Sequence, residues 1–205
     1  YTGAGAAIDC RGQDSDQCWI RLEDFELVGN SNAAYGVRMQ RNNRFSHIRR
    51  CRIVSFTGNP GYGLELRSAT EGNNNIITIE ACQILGNNFG IFAEKMNIFS
   101  IIGGVIESNN SFNMVIRDSR GVDLFGVTIQ DCGGSQGIRI DNITRDNSSV
   151  NFYGCWIEEA TSTESVLAVA TATYPNIDIS FFGGRIYNGA SNGYCVHGNQ
   201  RTNIG

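Results

Sequence analysis

The sequence predicts an all-β chain built as a solenoid of stacked parallel strands, about seven rungs deep. Three observations carry that prediction. A short apolar pattern recurs seven times, a second pattern with a period of two follows each copy, and polar turn residues fill the gaps between them.

The first pattern reads apolar, variable, small or polar, small or apolar, variable, apolar. It occurs as LEDFEL (Leu22 to Leu27), IRRCRI (Ile48 to Ile53), IEACQI (Ile79 to Ile84), IIGGVI (Ile101 to Ile106), LFGVTI (Leu124 to Ile129), FYGCWI (Phe152 to Ile157) and FFGGRI (Phe181 to Ile186). Successive copies end 22 to 31 residues apart, so the insertions project from corners while the motif holds. The second pattern is YGVRM from Tyr35, YGLEL from Tyr62, FGIFA from Phe89, FNMVI from Phe112, QGIRI from Gln136, ESVLA from Glu164 and NGYCV from Asn192. Its period of two is that of a half-buried strand. The stretches between, GNSNAA, GNPG, GNN, SNNS, CGGS and NGAS, are turn chemistry.

One such rung cannot bury its own apolar side chains, whereas stacked rungs bury them in a continuous core. The sixth motif position then forms an aliphatic ladder of Leu27, Ile53, Ile84, Ile106, Ile129, Ile157 and Ile186, with a step of about 4.8 Å. The fourth position, Phe25, Cys51, Cys82, Gly104, Val127, Cys155 and Gly184, is a second inward stack and places three of the seven cysteines in the core. Asparagines at the corners, as in EGNNN, LGNNFG, ESNNSF and QRNNR, are expected to hydrogen-bond along the axis and hold the turns. The architecture is a single-stranded parallel β-helix. A leucine-rich repeat does not fit, because its Leu and Asn spacing and any helical period are missing.

Composition agrees and excludes other classes. Twenty-five glycines against two prolines, with eleven phenylalanines, suit short strands and tight corners. A net charge of -4 implies no nucleic-acid partner, and no run of 18 apolar residues implies no membrane insertion. The seven cysteines contain no C-x-x-C pair, and His47 and His197 are far apart, so neither a metal site nor a cofactor is expected and the cysteines read as buried thiols. Residues 1–205 read as one domain. The missing initiator Met and a final GNQRTNIG that starts another rung suggest a segment of a longer chain.

The motifs I-x-x-C-x-I and Y-G-I-x-I resemble those of the pectate-lyase-like right-handed β-helix superfamily over nearly the whole chain, and the opening YTGAGAAIDC resembles the entry rung of that fold in bacteriophage tailspikes and bacterial polysaccharide lyases and glycosidases. The resemblance implies right-handed coiling. It also implies a tailspike or receptor-binding fibre that binds, and in some members hydrolyses, host polysaccharide, assembled as a parallel homotrimer on a virion surface or outside the cell. Two alternatives stay open: a free-standing polysaccharide lyase or glycoside hydrolase, and a fibre spacer without a ligand.

The register assigns outward positions. The second motif position turns apolar in the last four rungs, through Ile102, Phe125, Tyr153 and Phe182, which reads as a subunit interface or a stripe shielded by loops; Phe92 and Val115 add to the apolar exterior. The fifth position brings Thr128, Trp156 and Arg185 together, with Trp156 exposed to stack on a sugar ring or tucked under Thr161 to Thr163. Just past the strand, Glu107, Gln130 and Glu158 form one outward row and Asp131 and Glu159 lie in the next. Glu107 and Glu158, two rungs apart at roughly 9 to 10 Å, have the separation of an inverting glycosidase pair, and Asp131 with Glu159, at about 5 Å, that of a retaining pair. A hydrolase is therefore favoured over a lyase, whose acid cluster and basic proton acceptor do not converge on Arg185. The plain alternative is that all four acids are solvated surface residues.

Overall fold

The computed structural model of the protein describes residues 1–11, 19–40, 44–68, 75–134, 136–144, 148–159, 165–171, 177–189, 194–198 and 202–204. Among them 23 short strands and no helix occur. Every three consecutive strands make one coil. Seven full coils, followed by the first two strands of an eighth, wind into three parallel sheets of eight, eight and seven strands. The first sheet begins with Ala6–Arg11 and Tyr35–Gln40, the second with Arg21–Glu23 and Arg44–Arg49, and the third with Glu26–Val28 and Arg52–Val54. The chain is a parallel β-helix.

The predicted register is the observed one. In the third sheet Ile53, Ile84, Ile106, Ile129 and Ile157 stack on successive strands and are buried. Val37, Leu64, Ile91, Met114 and Ile138 do the same in the first sheet. In the second, Phe152 and Phe181 lie face to face at 4.8 Å. Cys51, Cys82 and Cys155 fill the corner between the second and third sheets, each thiol donating to a backbone carbonyl. Burial raises all three thiols, Cys82 to about 11, so they are core filler rather than nucleophiles. Cys18 and the Cys195 side chain lie outside the described residues.

The corner from second to third sheet has one backbone solution, used seven times. Asp24, Arg50, Ala81, Gly103, Gly126, Gly154 and Gly183, the third motif position, are all left-handed, with φ from 51° to 70°. From Arg50 to Gly154 the amide of each corner residue donates to the carbonyl of the outward residue one coil on, as Gly103 does to Phe125 (2.7 Å) and Gly126 to Tyr153 (2.8 Å). A single left-handed residue thus turns the chain sharply without losing a rung of the hydrogen-bond ladder. The residue after it is Gly at 104 and 184, where φ is near 90° and a Cβ would stand 2.3 and 2.1 Å from the carbonyl oxygens of Cys82 and Cys155.

Candidate functional site

The outer face of the third sheet carries the residues singled out above. Glu107, Gln130, Glu158 and Tyr187 are paired in register along Val105–Glu107, Thr128–Gln130, Trp156–Glu159 and Arg185–Asn188. Gln130 Nε2 donates to Glu107 Oε2 at 2.7 Å, and Trp156 Nε1 donates to Glu158 Oε2 at 2.8 Å. Each half-buried carboxylate is therefore fixed through one oxygen by a neutral donor. Trp156 is 42% exposed. The Arg185 guanidinium lies 4.8 Å from the Trp156 ring centroid and 5.0 Å from that of Tyr187, a cation held against two aromatic faces. Tyr187 occupies the same outward row as Glu158 one coil on, a position legible in the sequence, but it was not among the expected binding residues. Thr128 pairs with Trp156 in register and is half-buried beside it. Thr161 to Thr163 lie outside the described residues.

Glu159, expected outward beside Asp131, is 0% exposed, with its carboxylate inside the helix. The cause is the second corner. At Ser55, Gly86, Ser108 and Asp131 that corner is left-handed, with φ from 53° to 66°. The Trp156–Glu159 strand runs one residue longer, pairing Glu159 with Asn188, and continued alternation turns Glu159 inward. Asp131 stays on the surface, so the wall separates the two acids expected to form a retaining pair.

Inside, Glu159 ends a polar column. The Phe56 amide donates to Asn87 Oδ1 (3.0 Å), and the Asn87 amide and Nδ2 both donate to Asn109 Oδ1 (3.0 Å each). Asn109 Nδ2 donates to Asn113 Oδ1 (2.8 Å), and Asn113 Nδ2 to Glu159 Oε1 (3.1 Å). The next corner residue, Cys132, has no side-chain oxygen. Asn113 takes that role from the neighbouring strand, and Glu159 Oε2 accepts from the Cys132 amide at 2.5 Å. Facing the column is a row of glycines at register positions Gly63, Gly90 and Gly137, interrupted by Asn113, whose side chain joins the column. A Cβ on Gly137 would meet Glu159 Oε1 at 2.2 Å. Burial pushes the Glu159 carboxyl up to about 7, against the pull of its two hydrogen bonds, with Asp131 adding to the rise. Asn87 and Asn109 confirm the expected axial asparagine bonding. Asn42, Asn43, Asn73 and Asn74 lie outside the described residues.

The second sheet carries the aromatic ladder as expected. Phe125, Tyr153 and Phe182 stack nearly parallel at 4.7 and 4.8 Å, with Ile102 continuing the row and Ile102, Phe125 and Phe182 well exposed. Because the rings cover one another's faces, the ladder presents mainly edges to solvent. Phe92 and Val115, expected to add apolar exterior, are buried instead. Tyr62 stacks on Phe92 at 5.0 Å, and the Arg117 guanidinium lies 5.3 Å from its centroid.

The outer face of the first sheet holds ion pairs that the sequence reading passed over. Arg38 grips both Asp9 oxygens (2.6 and 3.2 Å), Arg67 pairs with Glu94 (2.5 Å), and Arg117 and Arg139 converge on buried Asp141 (3.1 and 2.7 Å). Glu65, raised by burial, accepts from Gln40 at 3.0 Å. The signal was the alternating charge of the aligned rows Asp9, Arg38, Glu65 and Arg67, Glu94, Arg117, Asp141. Removing one member of such a pair would leave its buried partner uncompensated. Among the described residues no three His, Cys, Asp or Glu side chains converge as metal ligands, and no helix is long and apolar enough to cross a membrane.

No family model matches the chain, and no curated protein does. Among solved structures, the A-module of the Azotobacter vinelandii mannuronan C-5 epimerase AlgE6 is similar, with a TM-score of 0.60 over 98% of this chain at 12% identity. This chain spans 59% of the length of that one, and the likeness places it among parallel β-helices by fold.

Proposed function

We propose that this chain is a β-helix module that binds a polysaccharide across the outer face of its third sheet, at Trp156, Arg185 and Tyr187. The observation that carries the reading is the half-exposed Trp156 ring, fixed through its Nε1 by Glu158 and flanked by Arg185. A rigid aromatic surface suits the apolar face of a pyranose, and neighbouring hydrogen-bonding groups suit its hydroxyls. The likeness to a module of a mannuronan-modifying enzyme supports the same substrate class.

The finer reading is a phage tailspike or surface fibre, at a virion surface or otherwise extracellular, that assembles as a homotrimer through Ile102, Phe125, Tyr153 and Phe182. Glycan cleavage in such a module would fall to Glu107 and Glu158. They lie two coils apart, at about 9 to 10 Å by strand spacing, near the separation that admits a water for inversion. Gln130 orients Glu107, Thr128 lies beside Trp156, and Asp131 stands at the rim. Glu159, being interior, has no place in that chemistry.

The test is binding to immobilised acidic and neutral bacterial polysaccharides by the protein and its Trp156→Ala variant, with reducing-end release followed in parallel for Glu107→Gln and Glu158→Gln. Retention of a polysaccharide that drops at least tenfold in the Trp156 variant is expected; equal retention by both proteins refutes the site. Light scattering of the protein and a Phe125→Glu, Tyr153→Glu variant tests the trimer, which a monomeric parent protein refutes.

A further inference from the structure

A second feature of the exterior lies on another sheet, at the opposite end of the helix from Trp156. Trp19 and the strands Arg21–Glu23 and Arg44–Arg49 frame a depression of about 350 Å³ lined by Trp19, Ile20, Arg21, Phe45, His47 and Arg49. Its apolar wall is costly. Trp19 is 75% exposed and Phe45 56%, and the two rings meet edge to face at 5.8 Å. Trp19 is more exposed than either end of the stacked ladder on the same sheet, where Phe125 is 40% and Phe182 53% exposed. Phe45 also has a left-handed backbone (φ 53°), repeated one coil on at the exposed Ile76 (φ 56°). A bulky residue seldom adopts that conformation without a reason beyond the local turn.

The floor carries two arginines, each with a single acid partner among the described residues. Arg21 leans on Glu23 at 2.7 Å, with most of its side chain in solvent. His47 Nε2 lies 3.0 Å from Glu80 Oε2. The Arg49 Nε is shielded from water and has no hydrogen bond, with Glu80 Oε1 at 3.5 Å its ion-pair partner. The surrounding segment is basic in an acidic chain. Residues 1–60 contain eight arginines against six acids, whereas the rest has eight basic residues against fourteen acids.

An exposed aromatic corner above a guanidinium floor matches a ligand with an apolar face and a carboxylate in one ring. We infer that this depression is a binding subsite for a uronic-acid unit of an acidic polysaccharide, the sugar packing on Trp19 and Phe45 and its carboxylate meeting Arg49 and Arg21. This rests on the polysaccharide reading above and narrows it to acidic chains. Neutral glycans would leave the arginines with only their internal partners.

The two tryptophans, Trp19 and Trp156, allow the two sites to be read separately. In a Trp156→Phe background, Trp19 emission is followed while hexamers of mannuronate, hexamers of galacturonate or neutral maltohexaose are added. The expected result is a saturable change with at least one uronate hexamer and none with maltohexaose. Arg49→Gln and, as a surface variant that spares the Glu80 contact, Arg21→Gln should each weaken it, the former about tenfold, and added salt should weaken it further. A silent Trp19, or an equal response to maltohexaose, overturns the inference. The converse Trp19→Phe background separates the failures: a response at Trp156 with Trp19 silent removes this subsite and leaves the third-sheet reading, whereas silence at both removes both.

Discussion

Glu158 and Glu159 are neighbours in the chain and end on opposite sides of the wall. Glu158 is tied to an exposed indole on a surface open to solvent, and Glu159 is sealed among asparagines with its carboxyl pushed to about 7. The contrast extends along the helix axis. The outer row of Glu107, Gln130, Glu158 and Tyr187 uses polar groups that water could also satisfy, so its members are replaceable at little cost. The inner column of Asn87, Asn109, Asn113 and Glu159 uses polar groups that only one another and the backbone can satisfy. In a solenoid wall one residue of register therefore decides whether a carboxylate is available for function or committed to structure.

The largest effect is expected in the column. Asn109→Ala removes the acceptor of the Asn87 amide outright and the stronger of two partners of Asn87 Nδ2 and of Asn113 Oδ1, which keep only the Ile53 carbonyl and the residue-109 amide, and losing several buried hydrogen bonds at once should cost about 3 to 4 kcal/mol. Urea unfolding checks this; a loss under about 1 kcal/mol would mean that water or a rearranged partner fills the gap.

The pH dependence comes next. The folded chain holds the Glu159 proton more tightly than the unfolded chain, whose carboxyl keeps the ordinary value near 4.5. The stabilisation is thus fully present below about 4.5 and is lost as pH rises through about 7. The difference is about 3 kcal/mol between the two ends of that window. Subtracting the profile of Glu159→Gln from that of the parent protein should isolate this slope, and a flat difference would show the carboxylate to be solvated.

Gly137→Ala should cost about 1 to 3 kcal/mol, because the added methyl must displace the Glu159 carboxylate or the facing Val166 carbonyl, 2.9 Å from it. Combined with Glu159→Ala the penalty should shrink, which a double-mutant cycle reads directly. Trp156→Ala should change stability by no more than about 0.5 kcal/mol while abolishing polysaccharide retention.

The sequence made the fold legible because the same inward residue type recurs at the same motif position in coil after coil. The aliphatic ladder from Leu27 to Ile186 needs no long-range information to be recognised. The outward aromatic row from Phe125 to Phe182 was legible for the same reason. The fate of Glu159 was not, because register by counting assumes that every coil turns at the same place. Two local signals mark the exception in hindsight: Ser55, Gly86, Ser108 and Asp131 suit a left-handed corner and Glu159 does not, and Asn113 interrupts a row of glycines. The burial of Phe92 and the ion pairs around Asp141 depend on which long side chains fold back over the first sheet, which a motif of alternating residues leaves open.

The most direct measurement pairs the two neighbours. Glu158→Gln and Glu159→Gln would each be titrated with polysaccharide at pH 7.5 and unfolded in urea from pH 4.5 to 8. Glu158→Gln is predicted to weaken binding or turnover while keeping the parent protein's pH-dependent stability, and Glu159→Gln to keep binding while removing that dependence. The reverse assignment, or the same change in both variants, would contradict the division between an outer face for polysaccharide and an inner column for structure.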